Sequence, residues 1–251
     1  MESGSLFVQT VNGIATVEFF HPASNSLPSG LLDRLAKAFN ELSEDKTVKV
    51  VVLKSEKERA FCAGASLAEL LAIDNPIDGV AFFSGFGKVV NAMRNCKKPI
   101  IGRVQGKTVG GGVGIAAACD YVFATEQASI KLSEISIGIG PFVVEPIIRR
   151  KIGVAAVGEL ALDPEHWKNA YWAKEKGLYA KVLESLSEVD KEVQIFAEKL
   201  ASYSPDAVQH LKRVLWESTE HFDTLIAERA QICGHLVLSD TTKKALEKFR
   251  K

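Results

Sequence analysis

Two glycine-rich turns and one isolated glutamate are the residues best suited to chemistry here. Gly110-Gly111-Gly112 opens a run of small apolar residues, Val113 to Ala118. A helix starting there leaves several backbone N–H groups unpaired and aimed at whatever lies above them. Cys62-Ala63-Gly64-Ala65-Ser66 leads into a second helix start with equally small side chains. Two such N–H groups converging on one oxygen would form an oxyanion hole, and small residues let the backbone approach. The other reading is that both segments are tight turns. Glu134 follows a short strand, Ser129 to Leu132, and precedes the loop Ser136-Ile137-Gly138-Ile139-Gly140-Pro141. That position suits a solvated acid or a proton-transferring one. Glu145 is the other acid nearby, in a first helical turn where the dipole alone favours it.

Other motifs fall short. Gly106-Lys107-Thr108 lacks the glycine that a phosphate loop needs five positions earlier, where Ile101 stands. Gly112-Val113-Gly114-Ile115-Ala116-Ala117 matches a dinucleotide fingerprint, yet Asp120 begins the next strand too soon for a crossover helix. His235 sits among Ile232, Leu236 and Leu238, as a packed or surface histidine does. No two histidines have metal-ligand spacing, and no Ser/His/Asp arrangement is visible.

The elements that must position these residues read as an α/β body. Leu6–Val11 and Ile14–Phe20 flank Asn12-Gly13, a hairpin signal. A helix follows with Leu31, Leu35, Phe39 and Leu42 on one face, then a buried strand at Val48–Leu53. Helices are expected over about 66–73, 80–94 and 143–151, with strands at Pro99–Val104, Asp120–Thr125 and Ala128–Leu132. Beyond Gly153 the pattern reads as almost wholly helical: Ser187 with Asp190 resembles a capping box, and Ser204-Pro205 heads a helix carrying Val208, Leu211 and Leu215. Two more helices are expected, from about Thr219 to Leu236 and from Ser239 to Phe249. The expected division is a body over 1–190 and a helical region over 191–251.

Composition bounds the function. The chain has 251 residues, 47% of them hydrophobic, and its 31 Lys+Arg balance 31 Asp+Glu. That supports a core and excludes disorder, and zero net charge argues against a nucleic-acid or anionic-membrane binder driven by bulk charge. The start at Met1-Glu2-Ser3 lacks a basic and apolar leader, and no apolar run approaches a membrane span. Cys62, Cys96, Cys119 and Cys233 lack CxxC spacing. The expectation is a reduced, cytoplasmic protein with no membrane or nucleic-acid partner, no metal and no cofactor.

Taken jointly, Ala60-Phe61-Cys62-Ala63-Gly64-Ala65-Ser66, Lys98-Pro99 through Gln105-Gly106 into the glycine triplet, Cys119-Asp120, and Ser133-Glu134 with Gly138 resemble the crotonase, or enoyl-CoA hydratase/isomerase, superfamily. The likeness runs from about Leu6 to the C-terminus. It implies a spiral of ββα repeats followed by helices that form a homotrimer or hexamer. It also implies an acyl-CoA thioester whose oxygen meets the amides of Ala65 and Gly111, coenzyme A being part of the substrate. Glu134 matches the family's second catalytic glutamate. The first belongs two positions after the triplet, where Gly114 stands.

With one carboxylate, double-bond migration is expected first. Hydration, including a methylglutaconyl-CoA type, decarboxylation or acyl-CoA binding without turnover are the alternatives. Hydration would enlist Glu145, and a glutamate placed at 114 would raise it. Gly138-Ile139-Gly140-Pro141-Phe142 looks like the 3,2-enoyl-CoA isomerases; Phe142 stands where dienoyl-CoA isomerases and aryl-CoA dehalogenases have aspartate. The resemblance puts the adenine end near Ala63 and Ser66, though the family usually has Asp where Ser66 stands. Arg59 would lie beside phosphate, and Lys243 and Lys244 would reach a neighbouring subunit's ligand. Gly64, Gly110, Gly114, Pro141, Phe142 and Glu145 are expected along the rest of the ligand.

Overall fold

A computed structural model of the chain describes residues 4–56 and 59–249; the expectation drawn from Met1–Ser3 lies outside them. Strands β1 (Ser5–Val11) and β2 (Ile14–Phe20) form the expected antiparallel hairpin. Its two-residue turn needs positive φ at both positions, and Asn12 (51°) and Gly13 (81°) supply it. Helix α1 (Ser29–Glu44) buries Leu31, Leu35, Phe39 and Leu42.

Three coils follow, each giving one strand to each of two sheets. The first contributes β3 (Val50–Ser55) and β4 (Ala60–Cys62), then α2 (Leu67–Ala72) and α3 (Pro76–Asn95). The second contributes β5 (Ile100–Val104) and β6 (Lys107–Val109), then α4 (Gly111–Ala118). The third contributes β7 (Tyr121–Thr125) and β8 (Ser129–Lys131), a 3-10 turn at Glu134–Ile137 and α5 (Glu145–Leu162). The remainder is β9 (Lys168–Asn169), α6 (Ala170–Glu175), β10 (Lys181–Leu183), α7 (Leu186–Ala201), α8 (Pro205–Leu215), α9 (Phe222–Leu236) and α10 (Asp240–Glu247). The sheet orders are β1-β2-β3-β5-β7-β10 and β4-β6-β8-β9. This is the expected spiral of ββα repeats, with the helical C-terminal region present.

Strand β3 reads as continuously apolar because both faces are covered. Leu53 and Val51 join the main core with α1 and α3, while Val50 and Val52 pack with Val189, Val193 and Ala197 of α7. Helix α7 therefore belongs to the body. The expected boundary at 190 falls inside it, and the chain leaves the sheet only after Ala201. The capping box is Ser185 with Glu188, not Ser187 with Asp190. The region beyond Gly153 also holds β9 and β10, too short to show a period. Helix α5 runs past the expected stop at 151, with a kink at Gly153 (φ 79°), and α3 begins at Pro76 behind the Asn75 cap.

Helices α8 and α9 pack back onto this body. Asp120 accepts hydrogen bonds from Ile100 N–H and Trp216 Nε1–H, both at 2.7 Å, and pairs with Lys212 Nζ at 3.0 Å. Lys212, almost fully buried, also donates to the carbonyls of Met93 (3.1 Å) and Lys98 (2.9 Å). Leu211 and Leu215 of α8 are exposed.

Candidate active site

In the second sheet β4, β6 and β8 are parallel neighbours, with Cys62 opposite Thr108 and Thr108 opposite Ile130. The chain segments carrying Ala65, Gly111 and Glu134 leave the C-terminal ends of these strands, where ligands gather on parallel sheets. Neighbouring strands lie about 4.8 Å apart, so the three segments follow one another along the sheet edge with Gly111 in the middle.

Glycine packing brings the segments together. Gly64 (φ 84°) lies so close to the next coil that a Cβ there would stand 2.9 Å from Val109 O and 3.7 Å from Gly111 N. A Cβ at Gly112 would stand 2.7 Å from that of Cys62. Val109 and Gly110–Gly111 are thus clasped against Ala63–Ala65. Among the described residues no backbone acceptor takes the amide of Ala65 or of Gly111, whereas Gly64 N–H is held by Cys62 Sγ and Gly110 N–H by Lys131 O. Gly111, the first residue of α4, has no acceptor within its own helix.

Glu134 heads the 3-10 turn, which Gly138 (φ 83°) closes by donating to Glu134 O and Ile135 O. The residue as a whole is half-buried, but its Oε2 is sealed from solvent and has no hydrogen-bond partner. Oε1 lies against Gly110, where a Cβ would stand 2.6 Å away. Burial raises the carboxyl from 4.5 to about 7, and the backbone amides of Glu134 and Ser133 oppose the shift only in part. Such a group exchanges protons near neutral pH.

These groups open into a cavity of about 420 Å³. Ala63, Gly64, Ala65, Gly110, Gly111, Glu134 and Pro141 line it. Its walls are apolar: Leu70 from α2, Phe82, Phe83 and Phe86 from α3, and Val143 and Val144 before α5. Among the described residues Lys131 is the only cation in this lining and Glu134 the only carboxylate. Sequence reasoning missed Phe86, Val144 and Cys233, whose spacing carries no signal.

Several expected ligand contacts stand elsewhere. Gly114 faces the Val144 side chain, which occupies the space any side chain at 114 would need. A glutamate introduced at 114 therefore clashes there, which overturns the expected gain in hydration from that change. Glu145 is paired with Arg229 and, at 3.2 Å, with Arg149, and it does not line the cavity. Ser66 is buried as the N-cap of α2, its Oγ accepting from Glu69 N–H. Phe142 packs its ring on Gly140 and accepts from Arg229 through its carbonyl. Arg59 is exposed in a separate hollow beside Gln105 and Lys107. Among the described residues no three His, Cys, Asp or Glu side chains converge as a metal site requires, and no helix is long and apolar enough to cross a membrane.

The family model described as "Enoyl-CoA hydratase/isomerase" matches residues 9–250. The short-chain-enoyl-CoA hydratase of Clostridium acetobutylicum is 29% identical, the match covering 99% of this chain and 95% of that one. The peroxisomal Delta(3,5)-Delta(2,4)-dienoyl-CoA isomerase of Arabidopsis thaliana is 30% identical, covering 78% and 74%. The crystal structure of an enoyl-CoA hydratase from Bacillus halodurans superposes with a TM-score of 0.90 at 19% identity, covering 97% and 99%.

Proposed function

The chain belongs to the enoyl-CoA hydratase/isomerase family and is an enzyme of that type acting on acyl-CoA thioesters; from that premise we propose that its reaction is double-bond migration carried by Glu134 alone. The thioester oxygen accepts hydrogen bonds from the amides of Ala65 and Gly111. Ionised Glu134 takes a proton from C2 of a 3-enoyl thioester. The C2–H electron pair moves into the C1–C2 bond and pushes the carbonyl pair onto oxygen, giving a dienolate conjugated with the C3–C4 double bond, whose charge rests largely on that oxygen. Protonated Glu134 then delivers the same proton to C4, and a 2-enoyl thioester results. Preorganised amides in a dry cavity contribute about 3 kcal/mol each to stabilising that oxygen.

The observation that carries this reading is the solitary carboxylate: Val144 fills the space over Gly114, and Glu145 is held by two arginines. Water addition needs a water held and deprotonated, a task that two carboxylates share. The Clostridium relative's name favours hydration as the second reading.

Parallel assays decide between them. With 3-hexenoyl-CoA and crotonyl-CoA, migration is expected to outpace hydration. Glu134→Gln should lower turnover about 10³-fold with thioester affinity retained, and Glu145→Gln should leave the migration rate within about twofold. Rapid hydration of crotonyl-CoA that Glu145→Gln abolishes would establish the second reading. We further propose self-association as a homotrimer, supported by the exposed Leu211, Val214 and Leu215 on α8.

A further inference from the structure

We infer that α10 acts as a strap over the catalytic turn, and that Thr242 is its positioning residue: its hydroxyl holds the carbonyl of Gly138 and keeps Glu134 turned into the dry cavity. The inference rests on the role proposed for Glu134.

The turn cannot hold itself. It is four residues long and buries no side chain fully, and 3-10 hydrogen bonds have poor geometry. Its closing residue, Gly138, is gripped from outside. Thr242, with no exposed surface, donates from Oγ1 to Gly138 O at 3.2 Å. The same hydroxyl accepts from Ser239 Oγ at 3.0 Å, so a relay runs from the cap of α10 through Thr242 to the turn. Gly138 lies so near Thr242 that a Cβ at 138 would overlap it. Only Thr242 and Leu246 of α10 are buried, so this grip is a large part of what docks the helix. Just past its end, Phe249 lines the cavity. One short helix therefore secures the turn at its start and borders the site at its finish.

Loosening the grip would admit water to the carboxylate and favour its charged form. The groups around it are few. Cys233 of α9 is neutral, burial pushing its thiol up to about 12, and Lys131 of β8 lines the same cavity. Helix α3 faces the cavity with phenylalanines, and α4 carries no ionisable side chain. Glu145 and Arg149 of α5 pair with one another. Lys243, Lys244 and Glu247 of α10 are exposed.

The test is a direct titration of Glu134 in the full chain labelled with 13C-glutamate, its resonance assigned with Glu134→Gln. Thr242→Val, which keeps the shape and removes the hydroxyl, is expected to lower the titration midpoint by about one pH unit or more. It should reduce kcat on 3-hexenoyl-CoA about tenfold with KM within about twofold, and Thr242→Ser should restore both. Ser239→Ala, at the half-buried outer end of the relay, should shift the midpoint the same way by less. An unchanged midpoint in Thr242→Val overturns the inference, as does a loss of activity confined to KM. A parent protein inactive on every enoyl thioester would sink the proposed reaction, while the titration still decides the strap.

Discussion

Burying a carboxylate with one oxygen unpartnered penalises its charged form, and Glu134 is held in that condition. Its folded value of about 7 lies above its ordinary 4.5. The folded chain therefore binds the proton more tightly than the unfolded one. The associated stability is present in full below pH 4.5 and is lost as pH rises through 7. The difference between these values corresponds to roughly 3 kcal/mol. Urea denaturation should show Glu134→Gln gaining on the parent by about 1–3 kcal/mol between pH 5 and pH 8. An equal difference at both pH values would mean that the carboxylate is hydrated. The place of this glutamate, between a short strand and a glycine loop, was legible in the sequence. Its burial was not, because Phe86, which walls the same cavity, comes from the remote helix α3.

At the scale of elements, α4 and α5 meet where Gly114 receives Val144. Gly114→Ala improves helix propensity by about 1 kcal/mol but overpacks a filled contact by about 1–3 kcal/mol, so net destabilisation is expected. Val144→Ala in the same chain should relieve it, and a double-mutant cycle should show a coupling of about 1 kcal/mol. Additive effects would mean that the two do not touch. Helix α1 and the Asn12-Gly13 hairpin were readable because period and turn chemistry act locally. In α8 Leu211 and Leu215 are exposed and Lys212 is the buried residue. The carbonyls of Met93 and Lys98 and the carboxylate of Asp120 make a polar socket for an ammonium, and a hydrophobic period cannot announce such a socket. Strands β6, β9 and β10 have two or three residues each, and Gly106-Lys107-Thr108 read as a failed phosphate loop partly because it is the start of β6.

For the whole molecule, the Asp120–Lys212 pair joins the C-terminal helices to the six-stranded sheet, at β5 and the start of β7. Lys212→Met strands a buried carboxylate and should cost about 3–5 kcal/mol in unfolding free energy; a loss below about 1 kcal/mol would show that the helices are held elsewhere. The spiral itself was legible only through resemblance, since no repeat is visible in the residues and its coils share geometry rather than sequence. That geometry has a chemical consequence. Both amides and the acid issue from consecutive rungs of one ladder, so in the proposed reaction the flat dienolate would meet Glu134 from a single side. If the proposed migration holds, a deuteron lifted from one face of the substrate at C2 should be returned to the same face at C4, a handedness set by the course of the main chain.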